Sequence, residues 1–180
     1  MEWENVVAGQ RADPEQINKI GNQVAKYKGL RLARRVVLTE AVSVIEFNTD
    51  SDGTALNSTL GGELLFYSGT NSSIASVVGC NMQINGITTS SYITNGGTEV
   101  NYLNVGNVGN LISSKKTKIS LINNNVFVET QMWYKYTSAG TSGSFISGMT
   151  TPQTSITVIK LFLSAGTFPA GTVVEWWERG

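Results

Sequence analysis

Asn48, Asp50 and Asp52, followed by Gly53, place oxygen donors on alternate residues ahead of one that permits a sharp turn. These match the first, third, fifth and sixth positions of a calcium-binding loop, where alternating oxygens converge on a hard cation. The twelfth position, which should supply a bidentate Glu, is Thr59. Asn48, Asp50 and Asp52 alone fall short of the roughly six to eight ligands Ca²⁺ takes. The spacing therefore predicts a polar turn with Gly53 at positive φ, and no cofactor is expected.

Other catalytic chemistry is narrowed by what the chain lacks. It has no histidine and one cysteine, which removes Ser-His-Asp and Cys-His arrangements and any zinc site containing His. A glycosidase would need two carboxylates facing each other across a cleft, and no spacing here imposes that. The chain is expected not to be an enzyme. Cys80, in GCNMQI, has no basic neighbours in sequence and reads as a small buried strand residue.

What remains is binding chemistry. A sugar is held by an aromatic face for stacking, with amide, carboxylate or hydroxyl groups beside it. Trp133 shares one face of its strand with Glu129, Gln131 and Lys135 and is the first candidate for glycan contact. Tyr92 in TSSYITNGG and Tyr102 in NYLN have similar neighbours and are the next two.

These residues sit in a chain whose period is two from residue 36 onward. In NVFVETQMWYKY, Val126, Val128, Thr130, Met132, Tyr134 and Tyr136 point one way, and Phe127, Glu129, Gln131, Trp133 and Lys135 the other. Strands are also predicted at 42–48, 62–68, 74–86, 98–105, 117–123, 154–164 and 172–178. DSDG, SGTNSS, TNGG, VGNVGN, INNN, TSAGTSG and SAGTFPAG read as the turns between them. Trp176 and Trp177, adjacent in the last strand, must face opposite ways: one into a core, the other outward to an interface. The fold predicted is mainly β, an antiparallel two-sheet sandwich of jelly-roll type, with an immunoglobulin-like sandwich as the alternative.

Before the strands, ADPEQINKIGNQVAKYKG reads as a short N-terminal α-helix at about 14–28. Asp13 is the N-cap, Pro14 stands at N1, Gln16 completes a capping box, and Gly29 follows the C-terminus. Ile17, Ile20, Val24 and Tyr27 make a stripe with a/d spacing. So narrow a stripe, on a helix of about 15 residues, is marginal alone in water, which points to packing against sister helices or a partner. The division expected is an anchor segment at 1–35, its helix included, and a β domain at 36–180. Residues 30–38, LRLARRVVL, read as a basic joint, either solvated or pairing Arg31, Arg34 and Arg35 with Glu2, Glu4 or Glu40.

Formal net charge is zero and charged residues are 14% of the 180, against about 25% in ordinary domains. No excess of Lys and Arg is left for nucleic acid. Hydrophobic content of 41% with no net charge argues against disorder. No apolar run approaches about 18 residues, and Met1–Val7 does not read as a signal peptide, so neither a membrane span nor secretion is expected.

Three stretches together resemble bacteriophage virion structural proteins: WENVVAGQRADPEQINKIGNQ, VIEFNTDSDGTALNSTLGGELLFY and ITVIKLFLSAGTFPAGTVVEWWERG. The first is similar to the starts of tail-fibre, baseplate and head-fibre proteins, the other two to turns and ends of their β-sandwich domains. The resemblance implies a protein made in the host cytoplasm and resident in the virion. Its N-terminal segment would attach to other virion proteins, with Ile17, Ile20, Val24 and Tyr27 at the anchor or oligomer interface, as a homotrimer. Its β domain would be an exposed appendage on tail or baseplate that binds host cell-surface carbohydrate. A capsid head-fibre or decoration protein is the alternative, and a free lectin-like module the second.

Overall fold

The computed structural model describes residues 29–69, 77–94, 97, 99–109, 112–136 and 139–179. The helix expected at about 14–28, with its stripe of Ile17, Ile20, Val24 and Tyr27, falls outside them.

Alternation of apolar and polar residues does what it should in the longest strands. β8 (Ile112–Ile122) and β9 (Asn125–Tyr136) are joined by Asn123 and Asn124, both at positive φ. That two-residue turn matches the twist of a hairpin. Along β9, Val126, Val128, Thr130 and Met132 are buried while Phe127, Glu129, Gln131 and Trp133 are exposed, as the period of two predicts.

The other strands are β1 (Arg31–Val37), β2 (Val44–Phe47), β3 (Gly61–Ser68), β4 (Val78–Ile84), β5 (Tyr92–Ile93), β6 (Glu99–Val100), β7 (Leu103–Val108), β10 (Ala139–Met149), β11 (Ile159–Leu163) and β12 (Val173–Glu178). They form an eight-stranded sheet, ordered β1-β12-β3-β8-β9-β10-β5-β6, and a four-stranded sheet, ordered β2-β11-β4-β7. Neighbouring strands are antiparallel throughout. The chain is mainly β, and no helix occurs among the described residues, so none there is long and apolar enough to cross a membrane.

Both sheets turn their apolar faces to one core. Leu64, Phe66, Ile119, Val128, Val174 and Trp176 come from the larger sheet, and Ile45, Phe47, Met82, Ile84, Leu103 and Leu161 from the smaller. Phe168, from the loop before β12, packs its ring 5.8 Å from that of Phe66. This is the layout of a two-sheet sandwich.

Two segments differ from the sequence expectation. Residues 31–37, read as a basic joint, are a full edge strand, because β12 supplies the acidic partners. Arg31 meets Glu178 at 2.9 Å and Arg35 meets Glu175 at 3.5 Å. The division expected at residue 36 therefore falls inside β1. Ala139–Met149, read partly as a turn, is β10, paired along ten residues with β9. Its Gly and Ser carry little strand propensity of their own, so the pairing partner decides.

Candidate functional site

The outer face of the larger sheet collects most of the exposed aromatic and charged side chains, and cross-strand register sets their rows. One row runs Val173, Tyr67, Ser114, Trp133 and Ser142, on β12, β3, β8, β9 and β10. Tyr67 is 47% exposed and Trp133 42%, with half-buried Ser114 between them. Two strand spacings put their backbones about 10 Å apart. Two aromatic side chains with hydroxyls between and beyond them make a platform that can stack sugar rings and bond their hydroxyl groups.

The next row holds Glu175, Leu65, Lys116, Gln131 and Ser144, and the one after it Trp177, Glu63, Lys118 and Glu129. Lys116 Nζ lies 2.9 Å from Glu63 Oε2, and Trp177 Nε1 donates to Glu175 Oε2 at 3.0 Å. Glu63, Lys116, Lys118, Glu129, Gln131 and Arg179 line an open polar hollow of about 310 Å³ beside the aromatic row. Charges of both signs alternate there, so the face suits a polyhydroxy ligand better than a polyanion.

The expected site residues separate in the structure. Trp133 is on the platform. Tyr102 is half-buried in the bend just before β7 of the smaller sheet, its ring edge-on to Phe162 at 5.8 Å. The expectation for Tyr92 is corrected: its ring is fully buried, and its hydroxyl accepts from the Ile84 amide at 3.0 Å and donates toward the Ile84 and Ile87 carbonyls. A ring at that depth offers no face to a sugar. Tyr67 was not anticipated. The alternation in GELLFYS does set it opposite Phe66, but its place beside Trp133 depends on a register across three strands.

The Asn48–Gly53 segment is a closed turn. Asp50 Oδ1 and Asp52 Oδ1 both accept from the Thr54 amide at 3.0 Å, and Gly53 has φ +88°. Asp50 Oδ2 lies 3.6 Å from Arg31, and the Asp50 carbonyl accepts from Arg34 at 2.8 Å. These bonds commit the carboxylates to backbone and arginine, and the geometry is that of a structural turn. A hydrogen bond with the Asp50 carboxyl, then those with Thr54, hold Asp52 down to about 2. A depressed carboxyl stabilises the fold above its unfolded pKa near 3.9 and stops doing so as pH falls through its folded value. This turn should therefore loosen between about pH 4 and pH 2. Asp50→Ala, which strips the Thr54 amide and Arg31 of one partner, should cost about 1 to 2 kcal/mol. Added Ca²⁺ should leave the melting midpoint of the native protein where it is; a midpoint that climbs with Ca²⁺ would restore the metal reading.

The chain matches no protein-family model and no curated protein.

Proposed function

We propose that the chain is a non-enzymatic structural protein of a bacteriophage virion, whose β domain binds a host-surface glycan through the outer face of its larger sheet. The observation that carries the binding half is the Tyr67–Ser114–Trp133 row, two exposed aromatic side chains at ligand spacing on a rigid sheet. Glu63 and Glu129 flank Lys118 across that face, but among the described residues the face is open, with no walls to keep water from a reacting bond. Binding without turnover is the reading that suits it.

Strand order supports a jelly roll. With the β9–β10 hairpin and the short β5 and β6 set aside, the sheets are β1-β12-β3-β8 and β2-β11-β4-β7. Each interleaves strands from the two ends of the chain, and most successive connections pass from one sheet to the other, as in a double Greek key. Zero net charge and few charged residues suit a surface packed within an assembly. The anchor remains assigned to the N-terminal segment and its stripe, with trimerisation through it.

Two measurements test this. The full chain is titrated with envelope polysaccharide from the host, and Trp133→Ala and Tyr67→Ala should each weaken binding about tenfold or more. Unchanged binding in both variants would move the site off this face. Because β1 starts at Arg31, the deletion that tests the anchor is residues 1–28. The shortened protein should fold and bind glycan yet fail to enter particles; normal incorporation would place the attachment surface in the β domain.

A further inference from the structure

Lys115 is the side chain least expected in a sandwich core. It faces inward from β8, is 3% exposed, and its Nζ has no hydrogen-bond partner among the described residues. The amine lies 4.2 Å from the centroid of the Phe66 ring. Cys80, from β4 of the opposite sheet, is 1% exposed and in no disulfide, and its thiol acts on the amine as a polar neighbour without the geometry of a formed hydrogen bond. Burial drives the Lys115 pKa down, with the Cys80 neighbour opposing in part. The neutral amine, with a nucleophilic lone pair, is the form the site favours. A thiol and a neutral amine enclosed together are inert toward each other until the sulfur becomes an electrophile.

We propose that Cys80 and Lys115 form a covalent sulfur–nitrogen link between the two sheets when the protein meets a peroxide. In the first step Cys80 Sγ attacks hydrogen peroxide and the O–O bond breaks. The sulfur keeps one oxygen as a sulfenic acid, and the other leaves as water. In the second, the Lys115 Nζ lone pair attacks Sγ, and the S–O bond breaks with its electron pair. The departing hydroxide takes a proton from the amine and leaves as water. Thiol, amine and peroxide thus give an S–NH link and two waters, and the two electrons the sulfur loses reduce the peroxide. The amine is enclosed with the sulfenic acid, so its attack is intramolecular and competes with further oxidation. An added thiol attacks the linked sulfur and reverses the bond. This chemistry does not depend on the glycan reading.

The test is the intact mass of the full-length protein after treatment with hydrogen peroxide, quenching and denaturation. The expected product is lighter by the mass of two hydrogen atoms and has no titratable thiol. On digestion it yields one cross-linked species containing both residues, and dithiothreitol returns it to the starting mass. The loop closed between residues 80 and 115 should raise the melting midpoint by roughly 10 °C. Lys115→Met and Cys80→Ser should each abolish the loss of mass. An unchanged mass with the thiol intact overturns the proposal, and so does stepwise gain of oxygen on Cys80 with no link to Lys115. The native protein decides the matter alone, whether or not the variants fold.

Discussion

Alanine at Gly62 is expected to lower the stability of the protein by about 3 kcal/mol or more, among the largest effects of any single methyl group here. Gly62 lies in β3 between Glu178 of β12 and Ile119 of β8. A Cβ there would press into the Trp177 carbonyl oxygen and stand 2.7 and 2.8 Å from two ring carbons of Trp176. Neither neighbour can give way. The carbonyl belongs to the backbone of the adjoining strand, and the Trp176 ring is fully buried in the core, where space is packed to crystal density. Gly61 is constrained twice over: it has φ +84°, and its Cβ would meet the Ile119 carbonyl. Gly61→Ala should therefore cost at least as much, through backbone strain together with the clash. Gly69 is the control, since nothing among the described residues stands within 4 Å of a Cβ built there and its φ is ordinary; Gly69→Ala should change stability by less than about 0.5 kcal/mol. Urea midpoints of the three variants decide the point, and a Gly62→Ala midpoint close to that of Gly69→Ala would mean that the two strands part more readily than their packing implies.

Those glycines also mark where sequence reading succeeds and where it stops. NVFVETQMWYKY and GELLFYS announce their strands and faces because burial of one side of a sheet imposes a period of two on residue type. AGTSGSFISGM carries no such signature. Small residues are required along β10 where Met132 crowds it: a Cβ at Gly143 would stand 3.0 Å from the Met132 methyl. That demand comes from another strand and leaves no local pattern. Arg31, Arg34 and Arg35 look like a solvated joint for the same reason, since their partners Glu175, Glu178 and the Asp50 carbonyl are distant in sequence.

The candidate site was legible to the same depth. Trp133 is found by alternation alone. Tyr67 joins it only through registers that pair Tyr67 with Ser114 and Ser114 with Trp133. Tyr92 misleads because polar neighbours in sequence suggest a surface, whereas its hydroxyl meets three backbone groups of the Ile84–Ile87 turn and lets the ring be buried at little cost. Lys115 stands in SSKKTKIS beside Lys116 and Lys118, three lysines that look alike in sequence. Only the strand's alternation sends one of them inward.

That inward lysine leads to the second large effect. Lys115→Met should stabilise the protein by about 1 to 4 kcal/mol at neutral pH, because a long apolar side chain of similar volume replaces an amine buried without a hydrogen bond. The gain should depend on pH, with a sign fixed by the direction of the shift. Burial lowers the pKa of Lys115 in the folded state, while the unfolded chain keeps it near 10.4. Between the lowered value and about 10.4 the unfolded state binds the extra proton, so the stability of the native protein rises with pH, by up to about 1.4 kcal/mol per pH unit. Below the lowered value the folded protein must bury the charged form, and the penalty is full. Above about 10.4 the amine is neutral in both states and the penalty from charge is gone. Lys115→Met removes this titration. Its stability curve should therefore lie above that of the native protein at neutral pH, with the gap narrowing toward pH 10 to what the unpartnered neutral amine costs. Urea midpoints of both proteins at intervals from pH 6 to pH 10 give the two slopes, and the difference between them isolates Lys115 from other groups that titrate in the same range. Parallel curves would mean that water or a structural opening reaches the amine and keeps it charged, and would also remove the neutral nucleophile that a link to Cys80 requires.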